Sequence, residues 1–203
     1  MIAETPLAIS SLTDAQLSNR YAWPEGSYVR LNMVVNHEGH SVGSDGTSAT
    51  LTSAQDRRLL RLIRANADVV ISGGASIRAE GWFLPPRGIL AVVSQSGNLP
   101  WNTCPDLTRV TVIPTLSALS HFFRAHTGSV LCEGGTDLVA MVEKVRGFDD
   151  VALTTLGSQP VSVEAVGLNA ADFTLAGSLS DDAPTATFCL WRRAVTNGFS
   201  AQT

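Results

Sequence analysis

Apolar residues in this chain gather in short, near-continuous runs, separated by stretches where they recur every three or four positions. The runs are Tyr28–Val35, Val69–Ser72, Ile89–Ser94, Val110–Ile113 and Val130–Cys132. Runs of this kind are typical of strands buried on both faces of a sheet. Between them lie helical stripes. Leu59, Leu60, Leu62 and Ile63 form one, with Thr52 or Ser53 as its cap; Leu116, Leu119, Phe122 and Phe123 form another; positions 138, 139, 141, 142 and 145 mark a third. From Asp149 onward only β patterns remain, at Val151–Leu156, Phe173–Leu179 and Thr187–Arg192. This order predicts an α/β domain: a mostly parallel mixed sheet, helices on both faces and an antiparallel C-terminal edge. Residues 1–26 read as an N-terminal arm with a short helical turn at Asp14–Asn19 and a break at Trp23–Gly26. Residues 27–195 read as the single domain and 196–203 as a flexible tail. The Gly-, Ser-, Asn- and Asp-rich segment Asn36–Ser48 reads as a mobile loop.

Two glycine turns stand out, each closing an apolar strand and opening a helix. One is Ile71-Ser-Gly-Gly-Ala-Ser76; the other is Cys132-Glu-Gly-Gly-Thr136. Glycine lets backbone N–H groups come close to a ligand, and the following helix turns its positive end to the same place. A matched pair can hold the two separated phosphates of a dinucleotide, or it can be two plain tight turns. A Rossmann reading fails, because no Gly-x-Gly-x-x-Gly follows the first strand.

Composition narrows the function. The chain has 203 residues, enough for one well-buried domain, and a formal charge of −4 that argues against a general nucleic-acid binder. No apolar stretch is long enough to span a membrane and no secretory signal is apparent, so a cytoplasmic protein is expected. Cys104, Cys132 and Cys189 are odd in number and never form Cys-x-x-Cys, which fits reduced thiols rather than disulfides or a zinc site. His37 and His40 lack a third ligand nearby and read as exposed polar residues; no metal is expected. His121 and His126 read as helix surface. Trp82 and Phe83 are either core or a stacking surface for a substrate ring.

Six of the 14 basic residues fall between Arg57 and Arg87. Arg57, Arg58, Arg61 and Arg64 read as a solvated helix face. Arg78 lies two residues past Ser76, near a helix start where the dipole disfavours a cation, a conflict that a bound phosphate relieves.

The placement of the glycine turns, together with Asn32-Met-Val-Val-Asn-His-Glu-Gly39, Thr52-Ser-Ala-Gln-Asp-Arg57, Ala67-Asp-Val-Val-Ile-Ser-Gly-Gly-Ala-Ser-Ile-Arg-Ala-Glu-Gly81 and Glu133-Gly-Gly-Thr136, resembles the dihydrofolate-reductase-like superfamily. Within it the chain is similar to the pyrimidine reductase domain of riboflavin biosynthesis, over about four-fifths of its length. The resemblance implies an NADPH-dependent reductase of a ribosylamino-pyrimidine phosphate, working as a homodimer on a small-molecule substrate. It implies that Thr52 and Asp56 lie near the cofactor and that Gly73, Gly74, Ala75 and Ser76 form the first phosphate turn. Arg78 is the candidate for the 2′-phosphate, while Gly134, Gly135 and Thr136 hold the diphosphate. Glu133 faces the substrate, Asn32 lines its pocket at the end of the first strand, and Arg87 is the candidate for a substrate phosphate. The chain departs from the family at Asn32, where many relatives carry Lys, and at Asn36-His37-Glu38-Gly39, where Ser-Leu-Asp-Gly is usual. No zinc-deaminase signature is present.

Hydride transfer asks the protein mainly to align two rings and deliver a proton. Glu133 is the first choice of donor, with Glu38, Asp56 and water as alternatives. Two other readings stay open. One is a reductase of another ring such as dihydrofolate, favoured if Arg87 lies outside the pocket and a carboxylate, Asp56, meets the ring nitrogens. The other is a non-catalytic paralogue that binds a nucleotide.

Overall fold

The computed structural model describes residues 7–41, 51–181 and 185–194. The expected tail at 196–203 and most of the expected loop at 36–48 lie outside the described residues.

Nine strands form one sheet: β1 (Leu7–Ala8), β2 (Tyr28–Val35), β3 (Val69–Gly73), β4 (Ile89–Val93), β5 (Val110–Ile113), β6 (Ser129–Glu133), β7 (Asp150–Leu156), β8 (Phe173–Ser180) and β9 (Ala186–Arg193). They lie in the order β1-β8-β9-β7-β2-β6-β3-β4-β5. Only β9 runs against its neighbours, pairing antiparallel with β7 and β8. The expected mixed sheet is therefore present, with its reversed strand set inside the edge. β1 forms that edge by pairing in parallel with β8.

Helices cover both faces. α1 (Asp14–Arg20), α2 (Ala54–Ala65) and α3 (Gly74–Glu80) bury Leu17, Leu59, Ile63 and Ile77 on one face. α4 (Leu116–Ala125) and α5 (Thr136–Val145) bury Leu119, Phe123, Leu138, Val139 and Val142 on the other. The central strands are apolar throughout because successive side chains serve opposite cores: Val69 and Ile71 point one way, Val70 the other.

β2 breaks this pattern in an informative way. Val29, Leu31, Met33 and Val35 enter the α4/α5 core, while the alternate positions carry Arg30 and Asn32 toward the α2/α3 face. Arg30 is 1% exposed and pairs with the equally buried Asp150, its register partner on β7.

Of the segment expected to be an arm, residues 7–26 belong to the packed body. Ile9, Leu17 and Tyr21 are buried. Thr13 caps α1 through a capping box with Gln16. Arg58 of α2 binds Asp14 and the Leu12 carbonyl. Trp23 lies against the Arg30 guanidinium, 4.4 Å from ring centroid to Cζ. Three well-placed apolar side chains and a few polar ties suffice to dock a segment whose composition looks like a linker. Arg58 is thereby held in a tertiary contact rather than lying on a solvated face.

No helix among the described residues is long and apolar enough to cross a membrane. No cluster of His, Cys, Asp and Glu there is arranged to hold a metal ion. His37 and His40 are largely exposed beside Glu38. His121 is on the surface, but His126 is half-buried, stacked on Phe122 at the end of α4.

Candidate active site

The parallel strands place both glycine turns at the same end of the sheet. β3 and β6 are neighbours, with Ser72 opposite Glu133, so Gly73 and Gly134 leave the sheet side by side. Crevices at the C-terminal ends of parallel strands are where α/β folds bind ligands. α3 and α5 begin there, with Gly73 and Gly135 at their N-cap positions, and no side chain caps either helix. An added Cβ at Gly135 would meet nothing within 4 Å, so that turn is open to a ligand. Gly74 is different: its Cβ would stand 2.8 Å from Ser94, so this glycine serves close packing of α3 on β4.

A cleft of about 440 Å³ opens at this end. The residues Gly73, Ala75, Ser76, Gly134, Gly135 and Thr136 of the two turns line it, as do Asn32, Thr52, Asp56 and Glu133. Asn32 lies within β2 rather than at its end. β2 runs beyond its last paired residue opposite β6, Leu31 with Cys132, which brings the next residue level with Glu133. Leu60, Arg64, Ser72 and Glu80 also line the cleft and were missed in the sequence; Phe83, read there as either core or a stacking surface, lines it too.

Asp56 sits in the first turn of α2, whose N-cap is Ser53. It is 4% exposed and takes a hydrogen bond from Thr154 of β7. Burial pushes its carboxyl above the usual carboxylate range, with Thr154, Arg57 and Arg64 opposing. Glu133 has a firmer partner. Arg64 Nε donates to both its carboxylate oxygens at 2.8 and 3.0 Å, and Nη2 donates to Oε2 as well. Burial alone works against the Arg64 charge, but Glu133 outweighs it and raises the guanidinium pKa. Arg64 also lies over the Phe83 ring at 4.4 Å. The arginine expected on a solvated face is thus a wall of the cleft, and Phe83 is its platform. Trp82 instead packs at a tilt against Trp101, ring centroids 5.3 Å apart, and donates to the Pro100 carbonyl.

Two expected site residues lie elsewhere. Glu38 is exposed beside the histidines and is absent from the described cleft lining. Arg87 is at the opposite end of the sheet: it precedes β4, whose first residue bonds to Asp68 before β3, and its charge acts on Asp68. Arg78 also needs correction as regards the helix dipole. α3 has seven residues, so Arg78 falls in its last turn, where a cation is favoured. The side chain nevertheless folds back toward the start of α3. Its Nη1 is 3.3 Å from where a Gly74 Cβ would stand and donates to the Asn98 carbonyl at 3.2 Å.

No protein-family model matches the sequence, and neither does any curated protein. Solved structures do match in shape. A pyrimidine reductase-like protein from Corynebacterium diphtheriae aligns over 83% of this chain and 92% of its own, with a TM-score of 0.61 and 17% identity. Dihydrofolate reductase from Enterococcus faecalis, complexed with NADP(H), aligns over 82% and 96%, with a TM-score of 0.61 and 9% identity. The chain has a dihydrofolate-reductase-like fold. The same fold relates it to the diaminohydroxyphosphoribosylaminopyrimidine deaminase/5-amino-6-(5-phosphoribosylamino)uracil reductase of Thermotoga maritima. That match has a TM-score of 0.63 and 13% identity, and covers 83% of this chain and 57% of the Thermotoga protein.

Proposed function

We propose that this protein is an NADPH-dependent reductase that delivers hydride to an electron-poor carbon of a nitrogen heterocycle or of its ribosylamino group. The observation that carries the reading is Asp56, a buried carboxyl held by Thr154 and opening onto the same cleft as two uncapped glycine turns. When bound, NADPH supplies the hydride. The turns at Gly73–Ser76 and Gly134–Thr136 offer backbone N–H groups and helix N-termini to its phosphates. Arg78, with Ser94 beside it, is the group for the 2′-phosphate. Asn32 and Asp56 hold the polar edge of the ring, since a carboxyl can pair with adjacent ring and amino nitrogens in two parallel bonds. Asp56 is also the better proton source. Its carboxyl has no guanidinium bound to it, whereas both oxygens of Glu133 are engaged by Arg64. A homodimer in the cytoplasm, acting on a small-molecule substrate, completes the reading.

Two substrates fit this chemistry. A ribosylamino-pyrimidine phosphate such as 5-amino-6-(5-phosphoribosylamino)uracil follows from the resemblance. A ring such as dihydrofolate is favoured by one observation: Arg87, the expected phosphate contact, lies at the far end of the sheet while Asp56 lines the cleft.

Cofactor binding tests the reading at its base. Calorimetric titration should give one site for NADPH, with NADH binding more weakly. Arg78→Ala should weaken NADPH by about tenfold to a hundredfold, the worth of a charged hydrogen-bonded contact, and leave NADH nearly unchanged. A protein that binds neither dinucleotide contradicts the proposal.

A further inference from the structure

The cations of this chain can be located completely. Segments outside the described residues contain neither lysine nor arginine, and among the described residues Arg64 is the only cation lining the cleft. A phosphate on the substrate therefore has one cationic side chain to turn to among the described residues that line the cleft. That side chain is already bound. Glu133 takes the Arg64 guanidinium through both carboxylate oxygens, and the pair is largely screened from water, with side-chain exposures of 26% and 11%. The Phe83 ring covers one face of the guanidinium. Arg64 also completes the last turn of α2, where its charge suits the helix dipole. Glu80 and Asp56 also act on its charge, after Glu133.

We infer that Glu133 is a specificity-determining residue: by occupying Arg64 it closes the substrate half of the cleft to phosphate, so the ring substrate enters unphosphorylated. This deepens the reductase reading and rests on it. Bringing a dianion beside the Glu133 carboxylate is repulsive, and a bound guanidinium cannot offset that repulsion without abandoning Glu133. A neutral ring bearing amino groups meets carboxyl acceptors instead. Glu133→Gln keeps the shape and a hydrogen-bond acceptor but removes the charge that holds Arg64, freeing the guanidinium for an anion.

The test compares 5-amino-6-(5-phosphoribosylamino)uracil with its dephosphorylated counterpart by calorimetric titration. Wild-type protein should bind the phosphorylated compound no more tightly than the other. Glu133→Gln should shift the ratio of dissociation constants toward the phosphorylated compound by about tenfold or more. The double variant Arg64→Gln/Glu133→Gln should lose that gain, which separates release of the arginine from simple loss of a carboxylate. Thermal melts of each variant confirm folding. An unchanged ratio in Glu133→Gln, a gain that survives in the double variant, or no binding of the phosphorylated compound to Glu133→Gln overturns the inference. NADPH titration of the same samples reports separately on the reductase reading, so failure of one is not mistaken for failure of the other.

Discussion

Asp56→Asn should lower turnover by about 10²- to 10⁴-fold, the usual worth of a positioned proton donor, while leaving the protein at least as stable as wild type. The amide still accepts the Thr154 hydroxyl and fills the same volume, but it has no proton to give. The stability half follows from burial. The folded carboxyl has a raised pKa, so between the ordinary aspartate pKa and that raised value the native state binds more protons than the unfolded chain. Wild-type stability therefore falls as pH rises through this window, and the asparagine variant lacks that loss. The kcat/KM of wild type should likewise fall as pH rises through the raised pKa, a limb absent from the variant. Loss of activity with an unchanged or higher Tm marks a functional residue kept at some cost to the fold. Equal loss of both would make Asp56 structural. Steady-state kinetics against pH, with thermal melts, checks all three points.

Arg30→Met should destabilise the protein by about 3–5 kcal/mol, the usual cost of leaving one member of a buried ion pair alone. Asp150 is fully buried and would keep only the Tyr28 hydroxyl, at 3.0 Å, of the contacts described for its carboxylate. Arg30 currently gives it two bonds of 2.7 Å and spends a third N–H on the Tyr21 carbonyl at 2.7 Å. That last contact ties the N-terminal segment to the sheet, so its docking should loosen too. Arg30→Met/Asp150→Leu should recover much of the loss by removing the stranded charge, because a buried pair can often be replaced by packed apolar groups. Urea unfolding of the three proteins measures the difference; a single variant within about 1 kcal/mol of wild type would contradict this account of the pair.

The central strands and helices α2, α4 and α5 were readable because buried parallel strands and amphipathic helices leave opposite signatures in the chain. The glycine turns were readable for a local reason: strand, Gly-Gly and helix follow one another without a break. Docking of Leu7–Gly26 was not, since it depends on Ile9, Leu17 and Tyr21 meeting a surface made elsewhere. The Arg64–Glu133 pair joins residues 69 positions apart, and nothing in the local pattern of α2 separates Arg64 from its exposed neighbour Arg61. Asp56 had the opposite difficulty. A carboxyl in a helix's first turn has an ordinary explanation, and only Thr154 beneath it makes the position unusual.

Arg87 is the instructive error, because topology held the answer. A β-α-β crossover between parallel strands returns the chain to the end where the first strand began. A residue just before β4 therefore belongs to the end of the sheet opposite the glycine turns. Polar positions inside β2 carried a similar signal. Arg30 and Asn32 interrupt a buried strand on one face, which announces a partner for the first and a cleft for the second.

The most direct test of the proposed activity is NADPH oxidation at 340 nm by purified protein, with dihydrofolate, 5-amino-6-(5-phosphoribosylamino)uracil and the dephosphorylated pyrimidine offered side by side. The proposed site predicts turnover with an unphosphorylated ring substrate, abolished or nearly so by Asp56→Asn. NADPH binding without oxidation in the presence of any of the three would contradict it.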